Sequence, residues 1–221
     1  MKRASFALIA LTCAAAPAAM AENQVWTSID LTAGPSADGQ LGPRLEINSR
    51  YEPDGAPSRI ELRPGVTYAL RPGVELAGGY YWGHTNQSGP DRNEHRLWQQ
   101  ASYDIARGGG FEVSGRTRME QRYRESFDDT GARIRQRVTV SYKVPGTPFT
   151  LSAGPEVYFE LFKTDWGAET GLSEVRTKAR IDWAVSETLE LSLGYLNQFQ
   201  NEQDGPDESD RHILIGLSKA F

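Results

Sequence analysis

The chain has 221 residues, 38% of them hydrophobic and 24% charged, which excludes a disordered tail and leaves room for one or two ordinary domains. Its formal charge of -5 at pH 7 argues against generic nucleic-acid binding. The single cysteine, Cys13, falls in an N-terminal segment that reads as cleavable, so neither a disulfide nor thiolate chemistry is expected in the mature chain.

That segment has a basic start at Met1, Lys2 and Arg3, an almost wholly apolar stretch from Ala4 to Ala16, and a small-x-small cleavage site at Ala19-Met20-Ala21. Residues 1–21 are therefore predicted to be a signal peptide and 22–221 the mature domain. Removing Lys2 and Arg3 leaves 22 basic against 29 acidic side chains, a formal charge of -7. No apolar run of about 18 residues follows Ala21, which excludes a transmembrane helix but not a membrane.

From there the periodicity is two almost throughout. Strands are predicted at 43–52, 58–70, 74–84, 93–105, 111–124, 132–144, 149–161, 172–185, 189–200 and 208–221, with a weaker one at 24–33. In Arg133 to Val144 one parity reads Ile, Gln, Val, Val, Tyr, Val and the other Arg, Arg, Arg, Thr, Ser, Lys. Strands of soluble domains usually run about 5 or 6 residues, whereas crossing a bilayer takes about 9 to 11 tilted ones. Connections alternate between short turns, such as 71–73, 106–110, 145–148 and 186–188, and longer polar loops at 83–92, 125–131, 162–171 and 201–207. Gly108-Gly109-Gly110, in one of the short turns, reads as flexibility only. On the apolar parity, Tyr68, Tyr103, Phe111, Tyr142, Phe149, Trp183 and Phe221 stand beside the short turns, and Tyr51, Tyr80, Trp82, Tyr123, Phe159 and Phe199 beside the longer loops. Two aromatic girdles follow.

The fold class predicted is all-β, an antiparallel transmembrane β-barrel of 10 to 12 strands in the bacterial outer membrane. The count does not close on an even number. Either ten strands form the barrel and 24–33 is a periplasmic or lumenal segment, or an unrecognised strand makes twelve. Ile213, Ile215, Leu217 and the terminal Phe221 share one parity and look like the C-terminal signal read by the barrel-insertion machinery; Lys219 departs from that pattern.

Three stretches carry a resemblance: Asn93 to Gln100, Arg116 to Arg124 with its Arg-x-Arg-x-Glu-x-Arg run, and Gly154 to Phe159, with an early Trp26. They resemble an outer-membrane barrel family described only as a domain of unknown function, and more loosely the oligogalacturonate-specific porins. The resemblance implies fold and location and names no activity.

If the apolar parity faces lipid, the other parity faces the lumen. Arg116, Arg118, Arg122, Arg124, Arg133, Arg135, Arg137 and Lys143 then form a basic wall on two adjacent strands, where like charges stand opposite one another unless acids or bound anions intervene. Two readings stay open. The wall lines a small pore or passive uptake channel favouring an anionic solute, or Glu94, Glu120, Glu156 and Glu160 reach across and plug the lumen with salt bridges. Acidic residues of the longer loops, among them Glu202, Asp204, Asp207, Glu208 and Asp210, read as solvated. A lipid-modifying enzyme is the weakest reading: His84, His95 and His212 lie at strand ends, and neither Ser88 nor Ser209 stands in a recognisable motif. No metal or cofactor motif appears, and the partners expected are outer-membrane lipid and the insertion machinery, with the barrel a monomer.

Overall fold

The computed structural model describes residues 24–33, 40–86, 92–201 and 207–221. The signal peptide read at 1–21, Ser88, and the loop acids Glu202 and Asp204 lie outside them. Eleven strands follow one another in the chain: β1 (Gln24–Thr32), β2 (Leu41–Tyr51), β3 (Pro57–Arg71), β4 (Val74–Thr85), β5 (Arg92–Gly108), β6 (Phe111–Arg124), β7 (Thr130–Lys143), β8 (Phe149–Glu160), β9 (Gly171–Ala184), β10 (Leu189–Gln200) and β11 (Glu208–Ala220). Ten were legible as clear alternating segments to within three residues at each end.

Each strand pairs antiparallel with the next, and β1 closes the sheet by pairing parallel with β11. Among the described residues the closed barrel has eleven strands, inside the expected range of 10 to 12, and the weak segment at 24–33 is a wall strand rather than a periplasmic or lumenal appendage. Its direction, which no even antiparallel barrel can use, is absorbed by the single parallel seam. At that seam Ile29 stands opposite Leu217, and the Phe221 amide donates to the Thr32 carbonyl at 3.0 Å. Closure is what makes the wall stable in lipid, where an unpaired strand edge would leave backbone donors and acceptors without water.

The turn between β5 and β6 also differs from expectation. The hairpin runs on to Gly108, after a bulge between Asp104 and Ala106, and turns in two residues. Gly109 (φ 60°) and Gly110 (φ 83°) both occupy the left-handed region, the requirement of a tight primed hairpin turn. The glycines are there for backbone geometry, not looseness.

Burial is inverted relative to a soluble protein. Among the described residues, five apolar or aromatic side chains are buried against seventeen polar or charged ones. Leu193, 58% exposed, stands between Ile181 and Ile215, both half exposed, on the outer face. Leu97, Met119, Val140 and Leu151 continue that surface. A belt of this extent is an aggregation liability in water and the ordinary outer wall of a barrel in lipid. The aromatics Phe111, Phe149 and Trp183 at the short-turn end, and Tyr80, Tyr123 and Phe159 at the long-loop end, are outward and exposed. Ile213, Ile215 and Phe221 of the terminal strand are exposed on the same face.

Candidate functional site: the arginine-lined lumen

The inward parity of β2 to β8 builds a network of arginines and carboxylates. At its centre Glu120, wholly buried, accepts from Arg133 Nε at 2.7 Å, Arg135 Nη1 at 3.0 Å and Arg96 Nη1 at 3.3 Å. Glu94 accepts from Arg122 Nε at 2.6 Å and Arg96 Nε at 2.9 Å, with Arg124 at 3.6 Å. Glu160 takes the other end of Arg122 at 2.8 Å. Glu156 takes Arg135 at 2.8 Å and also Arg116, both on Oε1. Near the β2–β3 wall, Glu61 accepts from Arg59 Nε at 2.7 Å and Arg50 at 3.2 Å, and Arg63 bonds Glu46. Each carboxylate serves two or more guanidiniums, so removing one acid strands several buried cations.

Three buried aromatic rings enter this network from the inward parity, and a fourth ring, Trp26 of β1, has its centroid 3.9 Å from Arg50. Tyr81 and Tyr158 are wholly buried, and Trp98 is 1% exposed. Arg96 lies 4.1 Å from the Tyr81 ring centroid and Arg135 4.5 Å from that of Tyr158, close enough for cation–π attraction. The Tyr81 hydroxyl accepts from Arg59 at 2.8 Å and that of Tyr158 from Arg135 at 2.9 Å. Trp98 lies flat along the wall because Gly65 on β3 carries no side chain; a Cβ there would come within 2.6 Å of the indole. Sequence reading missed these rings, although Tyr158 alternates with Glu156 and Glu160, and Trp98 with Glu94 and Arg96, on the charged parity.

The network does not occupy the whole cross-section. A cavity of about 750 Å³ runs beside it, bounded also by the inward faces of β1, β9 and β10 at Ser28, Lys178 and Gln198. Fifteen basic side chains line it against eight acidic ones. A second cavity of about 410 Å³ opens at the short-turn end, and the two share Ser114, Arg116, Arg137 and Thr139. Of the basic wall predicted from sequence, Arg116, Arg118, Arg122, Arg124, Arg133, Arg135 and Arg137 all border the larger cavity. Lys143 keeps the inward parity but stands exposed at the end of β7 and lines neither cavity, which corrects its placement in the lumen: still paired with Thr150, it sits at the rim of the barrel, where its side chain meets solvent. Glu94, Glu156 and Glu160 also border the cavity, whereas Glu120 lies sealed behind its arginines.

The histidines are dispersed. His212 faces inward and stacks on Trp26, with ring centroids 4.6 Å apart. His84 and His95 stand on the outer face near the long loops, where His84 meets Asn93 at 2.9 Å and His95 meets both Tyr80 and Glu125. The Asn93 amide, and after it His95, hold the Glu125 carboxyl below its ordinary value. Ser209 accepts from Asn197 at 3.2 Å rather than serving a histidine.

A closed barrel with an apolar outer belt, two aromatic girdles and a charged interior defines a transmembrane β-barrel protein. The NanC porin structure shares this fold, with a TM-score of 0.53 at 10% identity, over 90% of this chain and 99% of its own. The chain belongs to the family described as a protein of unknown function, DUF2490, whose model matches residues 23–209. An uncharacterized protein of Methylorubrum extorquens is 30% identical over 219 residues, covering 97% of this chain and 94% of its own.

Proposed function

We propose that the protein is a monomeric porin-type channel of the bacterial outer membrane, delivered there through the signal at 1–21, that admits small anionic solutes. The observation that carries this reading is the excess of basic over acidic side chains around the 750 Å³ cavity. Enclosed by a low-dielectric wall, that excess concentrates anions and repels cations. The two cavities adjoin at Arg116 and Arg137, so these side chains stand on the route between them and are the residues that set selectivity. A recording in a planar bilayer under a salt gradient tests it: the reversal potential should favour the anion, most strongly at about 0.01 M salt, where the Debye length is about 30 Å. Cation preference refutes the reading.

The salt-bridged network favours a second reading, a plugged structural barrel without conductance. In that case the bilayer carries no current although the protein is folded and inserted.

A further inference from the structure

Pairing off the lumenal charges leaves a remainder at one place. Arg176 is matched by Glu174 and Arg180 by Asp182 at 3.0 Å; Arg122, Arg133 and Arg135 are matched within the network. Arg137 and Lys178 are different. Among the described residues neither side chain has a carboxylate within ion-pairing distance, nor any hydrogen-bond acceptor, although both lie inside the barrel and border the larger cavity. Arg137 stands directly opposite Arg116 on β6 and opposite Glu156 on β8. Lys178 stands opposite Gly154, one inward position along β8 from Glu156. Gly154 itself is held to glycine by the close approach of β7, since a Cβ there would run into the Val138 carbonyl.

Glu156 is the carboxylate nearest to both, and it is already engaged. Its Oε1 accepts from Arg116 and Arg135, while its buried Oε2 has no hydrogen-bond partner. Lys178 lies in the field of Arg116, Arg137 and Arg176, with Glu156 the acid acting on it. One negative charge thus answers for Arg116, Arg137 and Lys178, with Arg135 shared with Glu120. Like charges held together in a narrow, low-dielectric cavity are unfavourable unless an anion joins them.

We infer that Arg137 and Lys178, with Arg116 beside them, form a discrete binding site for a small oxyanion, a carboxylate or phosphate group, at the junction of the two cavities. The guanidinium of Arg137 offers a planar fork for two oxygens, Lys178 a rotatable point charge for a third, and the Ser114 and Thr139 hydroxyls border the same space. The inference deepens the channel reading by naming the solute's charged group and the place where it pauses. It also stands at equilibrium without any current.

The test is isothermal titration of the full-length barrel, folded in detergent, with sodium phosphate and separately with sodium acetate, each at an ionic strength matched by sodium chloride. Saturable binding of either oxyanion above the chloride background is expected, and whichever binds tells phosphate from carboxylate. Arg137→Gln and Lys178→Gln should each weaken it about tenfold, and the double variant should abolish it. Lys143→Gln should leave it unchanged. Because the double substitution removes uncompensated charge, the variant should melt no lower than wild type in chloride, which separates a site from a structural ion pair. No saturable binding of either anion, or full binding by the double variant, overturns the inference. Binding without bilayer current would refute the channel and leave the site; anion-selective current without binding would do the reverse.

Discussion

Glu120→Gln is the sharpest perturbation of the lumen, because its consequences differ among the three arginines that hydrogen-bond the carboxylate. Arg96 keeps Glu94 at 2.9 Å and Arg135 keeps Glu156 at 2.8 Å, but Arg133 is left with only Glu160, at 3.8 Å, while the more distant Arg118, 3.9 Å from Glu120, keeps its hydrogen bonds to Gln100. The glutamine amide oxygen can accept from one guanidinium, while its NH2 group turns a donor toward the others. Charge-assisted hydrogen bonds contribute about 1.5–3 kcal/mol each, and stripping one partner from a buried pair costs about 3–5 kcal/mol. With two of the three cations still paired, the loss should fall near a single broken pair, about 3–5 kcal/mol, rather than three times that. Urea unfolding of the lipid- or detergent-embedded barrel, followed by tryptophan fluorescence, measures it. Arg133→Met on the Glu120→Gln background should recover part of the loss, since the stranded cation is replaced by an apolar chain of similar length. A variant within about 1 kcal/mol of wild type would refute the argument and mean that water, not Glu120, neutralises these arginines.

Three further outcomes are expected. Leu193→Arg places a charge on the outer belt between Ile181 and Ile215 and should destabilise the inserted barrel by about 2–4 kcal/mol if it sits at the bilayer midplane, measured by the same unfolding assay. Cysteines at Ile29 and Leu217, opposite one another across the parallel seam, should oxidise to a cross-link visible as altered mobility on a non-reducing gel; no cross-link in folded protein would mean that β1 does not close the barrel on β11. Deleting Phe221 should lower the inserted fraction in outer-membrane preparations and leave unfolded chain in the periplasm, and unchanged assembly would remove the terminal strand from the list of insertion signals.

The alternation of side chains along each strand was enough to place ten of the eleven strands, the lipid-facing belt, the girdles and the charged interior, because a period of two is a local property that survives without knowing any partner. The same locality hid the strand count. A weak segment such as Val25 to Ala33 carries no mark of whether it pairs parallel or antiparallel, and only closure against β11 decided it. The turn at Gly109-Gly110 was hidden for a related reason, since a run of three glycines does not say which two take positive φ.

The chemistry of the lumen divides in the same way. Seven arginines on adjacent inward faces were visible as a basic wall, but whether each is paired depends on acids far away in the chain, such as Glu156, 40 residues from Arg116, and Glu160, 38 from Arg122. Periodicity fixes which way a side chain points; it does not fix what stands across a barrel's interior. That distance across the lumen is why Arg118 and Arg135 emerge as fixed parts of the wall, while Arg137 and Lys178 face the cavity with no carboxylate in ion-pairing distance among the described residues.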